Sequence, residues 1–135
     1  MILLIRHANA GHSDEWIGDD RLRPVDERGR EQAAKLVDAL AGFPIDRIVS
    51  SPYTRCVQTV EPLAEARGLE VELDEQLGAD RLGEVPEVLE RLRGQNAAVC
   101  AHGDLPWLGD RKFKKGSTWV VDDSLEPQRY IPPPA

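Results

Sequence analysis

The 135 residues, 41% of them hydrophobic, suit one compact domain with its own core, read here as residues 1–131 followed by a flexible Pro-rich tail at 132–135. A formal net charge of −7 and an isoelectric point near 4.9 exclude a surface built to hold nucleic-acid polymer or anionic lipid, so an anionic ligand must find a local basic pocket. Cys56 and Cys100 fall far short of a secreted disulfide scaffold and are expected as reduced, packed thiols. With no signal-like or membrane-spanning run at the N-terminus, the chain is expected in the cytoplasm.

In chain order, Ile2 to Ile5 is an uninterrupted apolar run bounded by charge, the pattern of a strand buried on both faces. Residues 8–25 carry Gly11, Gly18, Pro24 and several Asp, and read as a long loop. Asp26 caps a helix whose stripe of Ala33, Ala34, Leu36, Val37 and Leu40 ends before Gly42. Arg47 to Ser51 is a second strand stopped by Pro52. Thr54 to Arg67 is a helix closed by Gly68, with a kink or break expected at Pro62. Leu69 to Leu73 is a third strand, Val85 to Leu92 a helix that tolerates Pro86 in its first turn, and Ala97 to Ala101 a fourth strand. A turn or short helix at Pro106 to Leu108, a basic loop, a strand at Thr118 to Val121 and another around Tyr130-Ile131 complete the chain.

Strands alternating with helices imply right-handed β-α-β crossovers, hence a three-layer α/β/α fold around a mainly parallel sheet. Such sheets bind ligands beyond the C-terminal ends of their strands. Arg6-His7 ends the first strand, Ser50-Ser51 the second and His102 the fourth, while Arg55 opens the helix that follows Ser51. Two guanidiniums and two imidazoles therefore meet at one edge of an acidic protein. That set suits phosphoryl transfer, whose transition state spreads negative charge over three equatorial oxygens. A neutral imidazole also serves as nucleophile when its other ring nitrogen is held by a carbonyl or carboxylate, the role expected of His7, with His102 as electrostatic partner.

These residues resemble the histidine phosphatase superfamily, also called phosphoglycerate mutase-like. Leu4-Ile5-Arg6-His7-Ala8 matches its Arg-His signature, with Ala8 where a glycine is usual. Ser50 to Thr59 matches its Ser-Ser-Pro-x-x-Arg-x-x-Gln-Thr block, and His102-Gly103 its second histidine. The resemblance implies a phosphoglycerate mutase-like fold, phosphorylation of His7 in an intermediate, and a phosphate pocket of Arg6, Arg55 and His102, with Gly103 beside the substrate. The small size and the stretch Arg23 to Gly29 look like the SixA-type phosphohistidine phosphatase branch. Trp16 to Asp20, Cys56 to Leu63 and Lys115 to Val120 resemble the phosphatase domain that follows a Nudix domain in MutT1-like proteins of actinobacteria.

The implied activity is that of a metal-independent phosphohydrolase without cofactor, acting on a phosphorylated small molecule or phosphoprotein. Phosphohistidine and nucleotide or polyphosphate-type anhydrides are the expected substrates, and a non-catalytic phosphate-binding module is the alternative. Glu75 and Asp80 are candidate proton donors, although a solvated loop is their default; without such an acid, leaving groups that need little protonation are favoured. Arg21 and Arg23 lie in the loop facing the pocket, as substrate contacts or as solubilising groups. His12 is open to the same two readings. The run Arg111 to Lys115 either grips a distal phosphate or lies solvated. Trp16, Trp107 and Trp119 are expected to pack against loops and sheet. The three histidines, His7, His12 and His102, lack metal-ligand spacing, and the composition fits a monomer or a homodimer.

Overall fold

A computed structural model describes residues 1–135. Strand β1 (Ile2–Arg6) lies near the middle of a six-stranded sheet, because all of its apolar side chains are buried and both of its edges are paired. The other strands are β2 (Arg47–Ser50), β3 (Val71–Leu73), β4 (Ala97–Ala101), β5 (Thr118–Val121) and β6 (Pro127–Ile131), and the sheet order is β3-β2-β4-β1-β5-β6. Strands β3, β2, β4 and β1 are mutually parallel, whereas β5 and β6 add an antiparallel edge.

The pleat divides each strand between two cores. Leu3 and Ile5 face one side with Ile48, Ala98 and Cys100, where they are covered by Leu36, Val60 and Leu63 of helices α1 (Glu27–Ala39) and α2 (Thr54–Arg67) and by Leu40, the residue that caps the end of α1. Ile2 and Leu4 face the other side with Val49, Ala97 and Val99, beneath Val85, Val88, Leu89 and Leu92 of α3 (Val85–Leu92). Three layers result, as the sequence implied.

Local chemistry sets the boundaries. Asp26 caps α1 with Oδ1 accepting from the Gly29 amide at 2.8 Å, and its Oδ2 accepts from Gly11 at 3.1 Å, which ties the helix start to the long loop. Gly29 must lack a side chain, because a Cβ there would overlap the Asn9 carbonyl. Gly68 closes α2 in the left-handed conformation at φ 66°, and the Leu69 amide donates back to Ala64 at 2.9 Å. That cap consumes the donor of Leu69, so β3 begins at Val71 rather than at Leu69.

Three further expectations change. Helix α2 runs through Pro62 unbroken, since Cys56, Val60, Leu63 and Ala64 on both sides of it bury their side chains, offsetting a proline cost of about 3 kcal/mol. The 8–25 loop contains two short 3-10 turns, Ser13–Glu15 and Asp20–Leu22. Trp107 and Trp119 pack on the α3 side of the core, but Trp16 is exposed and is held by its indole N–H donating to the Asp19 carbonyl at 3.0 Å. Residues 132–135 have no regular structure, and Lys35 Nζ donates to the carbonyl of Ala135. Cys56 and Cys100 are free, buried thiols. No helix is long and apolar enough to cross a membrane.

Leu63 is fully buried between α2 and the sheet, whereas Leu73 is 62% exposed. Leu63→Ala is expected to lower unfolding free energy by about 2–5 kcal/mol and Leu73→Ala by no more than about 0.5 kcal/mol. Urea denaturation of the two variants checks this, and comparable losses would contradict the packing.

Candidate active site

The parallel strands end at one level. The His7 amide donates to the Ala101 carbonyl at 3.1 Å and the Ser51 amide to the Cys100 carbonyl at 3.0 Å, so the residues leaving β1, β2 and β4 stand side by side. There a cavity of about 400 Å³ opens, lined by Arg6, His7, Arg23, Arg55, His102 and Gly103 together with His12, Asp14, Asp104 and Lys115. Its volume exceeds the need of a lone phosphoryl group and falls in the range of small-molecule sites.

His7 is 6% exposed. Its Nδ1 donates to the Ala8 carbonyl at 2.8 Å, which fixes the neutral tautomer and leaves Nε2 without a protein partner. Burial, followed by the positive fields of His102, Arg55 and Arg6, lowers the His7 pKa to about 3, while the Ala8 carbonyl pulls in the other direction. The imidazole is therefore uncharged at neutral pH. Ala8 is itself anchored, its amide donating to Thr59 Oγ1 at 2.8 Å, and the Thr59 hydroxyl donates to the Arg55 carbonyl at 2.7 Å. One side chain of α2 thus positions both the carbonyl behind His7 and the backbone of Arg55.

His102 stands with its ring centre 5.4 Å from that of His7. Its Nε2 pairs with Ser51 Oγ at 2.9 Å and lies 3.5 Å from Cys56 Sγ. Tyr53 packs edge-on against it, with the ring centres 4.7 Å apart. The guanidiniums are equally restrained. Arg6 Nη1 donates to the Phe113 carbonyl at 2.7 Å, and its Nε is buried without a partner. Gly103 leaves room for this group, because a Cβ at that position would overlap Arg6 Cζ. Arg55 donates from Nη1 to the Asp20 carbonyl at 2.9 Å and from Nη2 to the Asp20 carboxylate at 3.1 Å, while its Nε is also buried and unpartnered. Arg23 Nε donates to the other carboxylate oxygen of Asp20 at 2.9 Å.

The structure thus gathers Arg6, His7, Arg23, Arg55, His102 and Gly103 around one cavity, and places Arg21, Glu75 and Asp80 outside its lining. Arg21 stacks on Tyr53, 4.9 Å from the ring centre, and pairs with Glu75 at 3.3 Å, an exposed contact. Asp20 and Thr59 join the site without a role in the sequence reading, whereas the sequence places Ser51 at its strand end and Lys115 in the basic run read as gripping a distal phosphate or lying solvated. Ser51 and Thr59 lie inside the quoted Ser50–Thr59 block, whereas nothing in the sequence separates Asp20 from the other acids of its loop. No three His, Cys, Asp or Glu side chains group as metal ligands.

Comparison with known proteins follows the same lines. An 8-oxo-(d)GTP phosphatase of Mycolicibacterium smegmatis is 33% identical over 155 aligned residues, covering 98% of this chain and 48% of the relative, so the chain spans about half the length of that curated protein. A SixA protein of Agrobacterium tumefaciens superposes with a TM-score of 0.81 at 20% identity, over 98% of this chain and 97% of the other. The protein histidine phosphatase SixA complexed with tungstate does so with a TM-score of 0.79 at 21% identity, over 96% and 95%. At these identities the likeness establishes the three-layer, phosphoglycerate mutase-like fold. The model of the histidine phosphatase superfamily (branch 1) matches residues 2–86, a stretch that holds Arg6, His7 and Arg55, and the chain belongs to that superfamily.

Proposed function

We propose that the protein hydrolyses phosphoramidate or phosphoanhydride bonds through a phosphohistidine at His7, acting on phosphohistidine or on nucleotide or polyphosphate-type substrates. The observation that carries this reading is the neutral His7 ring, held at Nδ1 by the Ala8 carbonyl with Nε2 free in a cavity lined by Arg6, Arg55 and His102. In the first step a bond forms between Nε2 and phosphorus while the P–N or P–O bond of the substrate breaks, and the leaving group takes the electron pair. In the second, water attacks phosphorus, the N–P bond breaks, and inorganic phosphate leaves as the water proton passes to solvent. Arg6, Arg55 and His102 neutralise the equatorial oxygens in both transition states.

The carboxylates in the cavity lining are Asp14 and Asp104; neither Glu75 nor Asp80, the donors expected from the sequence, reaches it, and Glu75 is engaged by Arg21. A phosphoanhydride or phosphoramidate tolerates this better than an alkyl phosphate, whose poor leaving group needs a placed acid. The 8-oxo-(d)GTP phosphatase relative favours the anhydride side of the proposal.

His7→Ala is expected to cut turnover of any accepted substrate at least about a thousandfold. Brief incubation of the wild type with γ-labelled nucleoside triphosphate or labelled phosphohistidine peptide should leave an acid-labile label that His7→Ala lacks. Turnover in the variant at the wild-type rate would sink the mechanism. Gly103→Ala, which pushes on the Arg6 guanidinium, is expected to lower kcat about ten- to a hundredfold with the fold intact by circular dichroism; unaltered kinetics would remove Arg6 from the phosphate pocket.

A pH dependence follows from the same ring. His7 titrates near 6.5 in the unfolded chain and near 3 in the folded one, so between these values the unfolded state binds the additional proton. Its contribution is fully present above 6.5 and is lost as the pH falls toward 3, at about 1.4 kcal/mol per pH unit. His7→Gln is expected to flatten the acid-side decline of urea stability by about that slope. An unchanged slope would show that the folded ring is not held neutral.

A further inference from the structure

Six cationic or imidazole side chains other than His7 line the cavity: Arg6, His12, Arg23, Arg55, His102 and Lys115. A phosphoryl group at His7 needs only Arg6, Arg55 and His102, which leaves His12, Arg23 and Lys115 beside the two carboxylates of the lining, Asp14 and Asp104. Of the basic run from Arg111 to Lys115, only Lys115 reaches this cavity. Arg111 donates to the Leu108 carbonyl at 3.2 Å, Lys112 lies 5.7 Å from the ring centre of Tyr130, and Lys114 is exposed. Lys115 is half-buried and takes part in no ion pair.

Its placement is fixed by the backbone. The amide of Gly116, at φ 85°, donates to the carbonyls of both Arg6 and His7 at 3.1 and 3.0 Å, so Lys115 is stapled one residue from the strand end that presents the nucleophile. The carbonyl of Ser117 accepts from the Arg6 amide at 3.0 Å, and the Gln32 side chain packs under Gly116. Burial and the nearby guanidiniums of Arg6 and Arg23 hold the Lys115 ammonium below its ordinary pKa, against the pull of Asp26 and with Arg55 adding to the depression. Asp20 compensates Arg23 and Arg55 but does not engage Lys115. Arg6, Arg23, Arg55 and Lys115 outnumber Asp14 and Asp104 in this lining, and the surplus of positive charge in a concave site suits an anion beyond the one that Arg6 and Arg55 take.

We infer that Lys115, together with Arg23, forms a second anion subsite that takes the phosphate adjoining the one attacked by His7, so that the cavity is shaped for diphosphates and longer phosphoanhydrides. The inference rests on the phosphoryl-transfer reading of His7 and narrows its substrate class. Arg23 is suited to the part, since Nε and Nη1 are committed to Asp20 and to the Ala10 carbonyl while Nη2 has no protein partner. A lysine in that subsite also meets the charge that builds on the leaving phosphate.

Calorimetric titration with inorganic phosphate and with methylenediphosphonate, which stands in for pyrophosphate because its P–C–P bridge cannot be hydrolysed, without added divalent cation, tests the subsite independently of turnover. The wild type is expected to bind methylenediphosphonate at least about tenfold more tightly than phosphate, Lys115→Gln to lose about tenfold or more of that preference, and Lys115→Arg to keep most of it. In kinetics, the ratio of kcat/KM for a nucleoside diphosphate to that for phosphoimidazole should fall in parallel in Lys115→Gln. An unchanged anion preference in Lys115→Gln, equal weakening of both anions, or a wild type that does not prefer methylenediphosphonate would each overturn the subsite. Absence of phosphate release by the wild type would instead overturn the His7 mechanism while the methylenediphosphonate preference still stood.

Discussion

The hydrogen bond from His7 Nδ1 to the Ala8 carbonyl is the interaction on which the rest of the site depends. An imidazole enclosed by two guanidiniums and a second imidazole has a choice of tautomers, and only one of them presents a lone pair at Nε2. A carbonyl accepts but never donates, so it selects the tautomer with the proton on Nδ1. The surrounding positive charge then keeps the ring neutral, because a third cation in that space would meet repulsion with little water to screen it. On the proposed reading, the charges that hold phosphate thus also keep His7 in the state that attack requires. The Thr59 hydroxyl holds the Ala8 amide and the Arg55 backbone at once, so the selecting carbonyl and Arg55 share one support on α2.

Assembling that charge in a chain of net charge −7 sets a second constraint. Buried guanidiniums need acceptors for most of their donors, and here Nε of Arg6 and of Arg55 is the one left without. Arg6 uses the Phe113 carbonyl, and Arg55 and Arg23 share the two oxygens of one carboxylate, Asp20, which also offers its own carbonyl to Arg55. Asp20 is itself held below the usual carboxylate range by the hydrogen bond and charge of Arg23 and by Arg55, against the opposing effect of burial. The long 8–25 loop is therefore no slack connection. Its turns are fastened through Asp20 to α2 and through Asp26 to the start of α1.

Much of this was legible in the sequence, and the reasons differ between elements. Ile2 to Ile5 and Ala97 to Ala101 lie in the middle of a parallel sheet, where burial on both faces leaves an apolar run that has no other use. Their C-terminal ends fix where His7 and His102 emerge, so the strand pattern and the strand-end rule together locate the cavity. What the pattern could not reveal depends on contacts between segments remote in sequence. The Leu69 amide is taken by the cap of α2, which shortens β3. Pro62 sits in a helix that its buried neighbours keep continuous. Asp20 differs from Asp19 only through where the loop places it against Arg55, 35 residues away, and no local periodicity encodes that distance.

Glu75 and Lys115 show the same limit with opposite outcomes. Both belong to charged loops whose ordinary reading is solvation. The structure gives Glu75 a partner in Arg21 outside the cavity, whereas the double hydrogen bond of the Gly116 amide to the end of β1 brings Lys115 into it. That difference fixes the electrostatic character of the site. A carboxylic acid beside the leaving group would suit substrates that must be protonated as they depart, and would repel the additional charge of a polyphosphate. On the proposed reading, the Lys115 ammonium, added to a lining whose carboxylates are Asp14 and Asp104, rewards leaving groups that depart as anions. The backbone of the segment leading into β5 is what brings the charge of Lys115 within reach of His7.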